Sequence, residues 1–146
     1  MNLVKGFFID RKFLGGYEGH WLRLNSYYLN GPAFGGLIGT ARGFSRFLQD
    51  QLRGESVLFG LETKRLLETR QTDGAGQLIP MTPDWHVGQA HGLAYFFKEG
   101  GGGFHCEMRI YPTRGVATVV LANSTDFSST GFLNRFDGTF VETRQR

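Results

Sequence analysis

The chain is 146 residues long, 40% hydrophobic and 20% charged, with a formal net charge of +3. These values exclude a disordered chain, and the length suits one domain that buries roughly two-thirds of its unfolded surface. Glycine (22) and phenylalanine (14) are both in excess without a fixed period, which excludes a collagen-like repeat and points to tight turns around an aromatic core.

Residues 1–35 carry turn signals at Gly15-Gly16, Asn25-Ser26 and Asn30-Gly31-Pro32 and read as an irregular segment with short strands. A helix is predicted over Thr40–Leu52: Thr40 suits an N-cap, and Phe44, Phe47, Leu48 and Leu52 recur on one face as core. Arg42, Arg46, Gln49 and Arg53 take the solvent side, Gly43 suggests close packing, and Gly54 stands where a C′ glycine would end the helix. Leu61–Arg70 is a second expected helix, with Leu61, Leu66 and Leu67 as its apolar face. Gln71–Trp85 holds Asp73-Gly74, Gly76, Pro80 and Pro83 and reads as a long irregular connection, and His86 and His91 are expected in a loop.

The period then changes. Gly92–Lys98 reads as a strand, and in Phe104–Tyr111 the residues Phe104, Cys106, Met108 and Ile110 alternate with His105, Glu107, Arg109 and Tyr111, the pattern of a half-buried strand. Pro112–Gly115 is a turn, and the apolar run Val116–Ala122 is expected at the centre of the sheet. Ser128–Phe136 starts a last helix capped by Ser128 or Ser129, and Glu142–Arg146 is a polar, frayed tail. Helices, a three-strand antiparallel meander and a further helix make an α+β fold with helices packed on one antiparallel sheet. The expected organisation is one domain: an irregular segment over 1–35, a core over 36–136 and a tail over 137–146.

Gly35-Gly36-Leu37-Ile38-Gly39-Thr40-Ala41-Arg42, running into the Phe47-Leu48 helix, is similar to a segment of the serine β-lactamase and DD-peptidase family, which includes class C β-lactamases and related esterases. Gly92-Leu93-Ala94-Tyr95-Phe96 resembles the family's Gly-Leu-Gly-Trp strand, and Gly103-Phe104, Tyr111-Pro112 and Val119-Val120-Leu121-Ala122-Asn123 follow in the family's order. The resemblance spans roughly residues 30–136 and implies a partial β-lactamase/transpeptidase-like fold. The implied chemistry is acyl transfer, in which a serine attacks an amide or ester and the acyl-enzyme is then hydrolysed.

Lys98-Glu99-Gly100 stands where the family has Lys-Thr-Gly, so the resemblance implies a substrate-binding role for Lys98, Glu99, Gly100 and Gly101. The lysine would serve the substrate carboxylate or the proton network, the glycine would let the backbone approach the acyl group, and the Gly101 N–H would join an oxyanion hole. Glu99 departs from the pattern by putting a negative charge where the family has a hydroxyl. The family's nucleophile is the serine of Ser-x-x-Lys. Three residues before Lys5, Lys12, Lys64 and Lys98 stand Asn2, Ile9, Leu61 and Tyr95, so that motif is absent from these 146 residues and no catalytic residue is assigned. Tyr28-Leu29-Asn30 matches the family's second motif in letters, but it lies five residues before the Gly-Gly-Leu segment rather than far upstream and reads as coincidence.

The expectation is therefore a β-lactamase-related chain that is non-catalytic by itself. One alternative is an esterase with another nucleophile, Ser124, Ser128 or Ser129, none of which lies in a Gly-x-Ser-x-Gly elbow. The other is an oligomeric binding module with a small-molecule ligand or a protein partner. Gly100–Gly103 enters a strand rather than a helix, which argues against a phosphate cradle. His105 and Cys106, as strand neighbours, point to opposite faces, so Cys106 reads as a buried structural thiol. With one cysteine and no carboxylate at ligand spacing from His20, His86, His91 or His105, no metal or cofactor is expected. The arginines are dispersed and read as solvated, so no nucleic-acid partner is expected. No run reaches the ~18 apolar residues of a membrane span, and Met1–Asp10 lacks a signal-peptide core, so a cytoplasmic location without membrane contact is expected. Val116–Ala122, apolar on both faces, calls for cover by a second copy, hence a homo-oligomer.

Overall fold

The computed structural model describes residues 15–24, 37–101, 104–124 and 126–142. The chain divides into two compact units, Met1–Ile38 and Gly39–Arg146. In the first, β1 (Gly15–Glu18) and β2 (Trp21–Leu24) pair antiparallel around Gly19, whose φ of +62° lies in the left-handed region that glycine enters freely. Tyr28-Leu29-Asn30 lies outside the described residues, as does the end of the tail, residues 143–146.

The second unit runs α1 (Ala41–Leu52), α2 (Leu61–Glu68), β3 (His86–Ala90), β4 (Leu93–Gly101), β5 (His105–Tyr111), β6 (Val116–Ala122) and α3 (Ser129–Val141). The sheet is antiparallel in the order β3-β4-β5-β6, each strand beside its neighbour in sequence, and helices cover both faces. On one face Leu48 of α1 packs with Trp85 and Ile110, joined by Phe47, Leu52, Phe96, Met108 and Val119. On the other, Val141 of α3 packs with Tyr95 and Tyr111. The α+β class with a packed antiparallel meander is thus as the periodicities indicate.

α1 forms on its phenylalanine face as expected, and the Thr40 hydroxyl accepts the Gly43 N–H at 3.1 Å. Gly43 itself is exposed, so its place in the helix reflects the cap rather than close packing. The helix does not end in a left-handed glycine. The chain leaves Arg53 extended (φ −74°, ψ 145°), and Asp50 organises the exit by accepting the Ser56 hydroxyl at 2.5 Å and the Val57 N–H at 2.7 Å. α2 is shorter than expected and inverted: Leu61 and Leu66 are exposed, while Lys64 is buried and its ammonium donates to the Arg53 carbonyl.

Residues 71–85 are more ordered than an irregular connection. Isolated bridges join Thr72 to Leu78 and Met81 to His86, and a fourth strand, β3, follows. His86 is therefore in a strand and His91 in a tight hairpin turn, where His91 (φ 54°) and Gly92 (φ 68°) both adopt left-handed angles, as a two-residue hairpin loop demands. Gly88 faces Tyr95 across the β3–β4 pair, and a Cβ at Gly88 would lie 2.5 Å from the tyrosine ring, so only glycine lets that ring cross the strand. The Pro112–Gly115 turn forms with Gly115 at φ 61°.

Two expectations about the sheet fail. β6 is not central: among the described residues it pairs only with β5 and forms an edge. The polar face of β5 is not solvated: Glu107, Arg109 and Tyr111 are fully buried beneath α3, which runs beyond Phe136 to Val141 and buries Asp137 as well. The exposed Arg42, Arg46 and Arg53 fit the solvated reading, and Arg109 does not.

Candidate functional site

β4 extends past its neighbour. The last β3–β4 pair is His86↔Phe97, whereas β4 continues against β5 through Lys98↔Met108, Glu99↔Glu107, Gly100↔Cys106 and Gly101↔His105. Lys98–Gly101 therefore overhangs β3, and among the described residues no strand pairs with it on the side that β3 occupies further along. The strand expected over Gly92–Lys98 runs on to Gly101, so Gly100 and Gly101 are strand residues.

Strand alternation sends the four side-chain positions apart. Lys98 shares its face with Phe96 and Met108 and turns toward Trp85. Its ammonium donates to Asp84 Oδ1 at 2.7 Å and lies 5.4 Å from the Trp85 ring centroid. The lysine side chain keeps 40% of its surface exposed and the Asp84 side chain 27%. Glu99 is exposed on the opposite face, in register with buried Glu107. A Cβ at Gly100 would stand 3.2 Å from the Cys106 sulfur, and one at Gly101 would stand 3.2 Å from the Phe104 carbonyl. Both glycines thus let the hairpin backbone close tightly.

Asp84 and Trp85 are the residues that sequence reasoning missed. They sit on a turn built by Thr82, whose hydroxyl accepts the N–H groups of Asp84 (3.2 Å) and Trp85 (2.8 Å), while the Thr82 N–H donates to the Trp85 carbonyl at 2.7 Å. Val87 N–H donates to the Pro80 carbonyl at 2.9 Å and ties the turn to β3. The signal available in sequence was an aspartate-tryptophan pair behind Pro83; a large aromatic in a proline-bounded turn needs a packing partner. Trp85 finds it against Phe47 at 6.3 Å between ring centroids.

Cys106 is half-buried beside Gly100, and burial pushes its thiol up from its ordinary range, which suits a structural group rather than a nucleophile. The alternative nucleophiles hold structural positions: the Ser128 hydroxyl accepts the Gly131 N–H at 3.1 Å as the cap of α3, Ser129 is buried, and the Ser124 hydroxyl accepts the Asp126 N–H at 3.3 Å. Among the described residues no three histidine, cysteine or carboxylate side chains converge as metal ligands, and no helix is long and apolar enough to cross a membrane. A shallow depression of about 480 Å³ lined by Arg46, Phe47, Gln49, Asp50, Arg53, Val57 and Leu58 shares no residue with the β4 overhang.

The densest polar cluster lies elsewhere, between β5 and α3. Glu107 accepts from Arg109 Nε at 2.5 Å and from the Thr130 hydroxyl at 2.8 Å. Arg109 also donates to Asn134 Oδ1 at 2.8 Å and to Asp137 Oδ2 at 3.3 Å, and Tyr111 donates its hydroxyl to Asp137 at 2.8 Å. The guanidinium stacks 4.5 Å from the Tyr95 ring centroid. Burial pushes the Tyr111 phenol well above its ordinary value. With Glu107, Arg109, Tyr111 and Asp137 buried and only Thr130 and Asn134 at its exposed rim, this cluster is a staple between strand and helix rather than a reaction centre.

The chain matches the family model described as Beta-lactamase over residues 10–138, which starts some way before the segment whose motifs carry the resemblance. Comparison with curated proteins gives no match, and comparison with solved structures gives none. The match covers most of the chain, on a unit built as an antiparallel meander packed with helices, and it places the protein: it belongs to the β-lactamase family.

Proposed function

We propose that this chain is a β-lactamase-related module that binds an acyl compound along Lys98–Gly101, does not carry out acyl transfer by itself, and acts as a homo-oligomer. The observation that carries the reading is the β4 overhang. Four residues at the family's third-motif position have a strand edge that no strand pairs with among the described residues, a half-exposed lysine and two glycines that bring the backbone close to its neighbours. An extended acyl group can lie along such an edge and take backbone hydrogen bonds while the lysine supplies charge.

The absence of Ser-x-x-Lys from the chain supports a binding rather than a catalytic role, as do the turn position of Ser124, the capping position of Ser128 and the burial of Ser129. The protein is expected to hydrolyse neither nitrocefin nor p-nitrophenyl acetate above a heat-killed control. Turnover that one Ser→Ala substitution abolishes would overturn the non-catalytic reading and make the chain an esterase with a recruited nucleophile.

A further inference from the structure

The binding edge carries a charge arrangement that selects its ligand. Lys98 is the cation of the overhang, yet it does not face an approaching ligand as an isolated charge. Asp84 holds it at 2.7 Å, and the backbone that carries Asp84 is fixed in one turn by the N–H groups of Asp84 and Trp85, which both donate to the Thr82 hydroxyl. The pair is therefore preorganised rather than a chance meeting of two long side chains. Its net charge is zero, and the neighbouring exposed Glu99 makes Lys98–Gly101 with Asp84 negative by one unit. The Trp85 ring under the ammonium is itself buried and backs the pair from the core side.

We propose that the site takes neutral acyl esters or amides and rejects carboxylates, with Asp84 as the specificity-determining residue. This rests on the acyl-binding reading of Lys98–Gly101. A carboxylate at the edge would meet Asp84 and Glu99 with only one shared ammonium, and would have to compete for a lysine already bonded in good geometry. A neutral ester loses nothing to these charges and can accept backbone N–H bonds along the strand edge. Removing the Asp84 charge frees Lys98 and should invert the preference.

The test is a binding titration of the whole chain, followed through the backbone amide NMR signals of Lys98–Gly101. N-phenylacetylglycine is the anionic probe and its methyl ester the neutral one. In the wild type the ester should bind about tenfold more tightly than the acid. In Asp84→Asn the acid should gain about tenfold, and the gain should vanish in Asp84→Asn/Lys98→Gln, which shows that it comes through Lys98. Acid binding equal to or tighter than ester binding in the wild type overturns the selectivity even if Asp84→Asn does not fold. Failure of both probes to move these amides in the wild type and in Asp84→Asn overturns the acyl-binding reading itself.

Discussion

Asp50 shows how a single carboxylate replaces the glycine that sequence suggested for the end of α1. The Ser56 hydroxyl first, and then the Val57 N–H, hold its carboxyl below the ordinary range. Its folded pKa therefore lies below the unfolded value near 4. The charged form contributes stability above that value, and the contribution is lost as pH falls through the lowered folded pKa. Asp50→Asn is expected to lower the urea midpoint at pH 7, with the gap to wild type closing below about pH 4. A gap that stays constant to pH 2.5 would assign the effect to hydrogen-bond geometry alone. Gly54 was a reasonable terminator by composition, but backbone angles follow from where the next bonds are, and Asp50 supplies them.

At the scale of elements, the decisive contact is β5 against α3. Arg109, Glu107, Tyr111 and Asp137 alternate or recur as polar residues, and polar alternation normally marks a solvent face. Here the polar groups of the strand meet those of the helix, with Asn134 and Thr130 joining the set, and only Oδ1 of Asp137 is left without a hydrogen bond among the buried carboxylate oxygens. A charge buried this way is costly only when its partner is removed. Arg109→Met should therefore destabilise by about 3–5 kcal/mol in urea unfolding, because Glu107 and Asp137 are left buried without their cation. A loss below 1 kcal/mol would show that water reaches the cluster. The same logic inverts α2: its leucines suggested the buried face, but Lys64 reaches the carbonyl left open at the end of α1.

Over the whole of the second unit, one sheet edge and one helix surface are left with apolar groups outward. β6 pairs only with β5 among the described residues. Along α3, Phe127, Phe132, Phe136 and Phe140 form a chain of ring contacts at 5.5, 5.5 and 5.1 Å, with Phe136 and Phe140 still 44% and 46% exposed. Exposed aromatic rows of this kind favour association. Light scattering is expected to report a mass above the 16.4 kDa of one chain, and Phe136→Lys/Phe140→Glu should move it toward that value with the circular dichroism unchanged. A wild-type monomer would count against self-association.

Sequence by itself determined the fold class, the strands at the end of the chain, the cap and core face of α1, and the family. Each depends on local periodicity, on turn chemistry at Thr40 and Gly115, or on a run of residues read in order. It also singled out Lys98 and the glycines as the proposed site, because motif position is a property of the chain. Tertiary structure alone decided which polar residues are inside. Arg109 and Lys64 are buried because partners 11 to 28 residues away satisfy them, and no local pattern encodes that pairing. It likewise decided that β3 forms, since His86–Ala90 has little strand propensity and is held by pairing to β4. And it brought Asp84 to Lys98 across 14 residues, the contact on which the proposed ligand preference turns, because only the folded hairpin sets the Thr82 turn beside the β4 overhang.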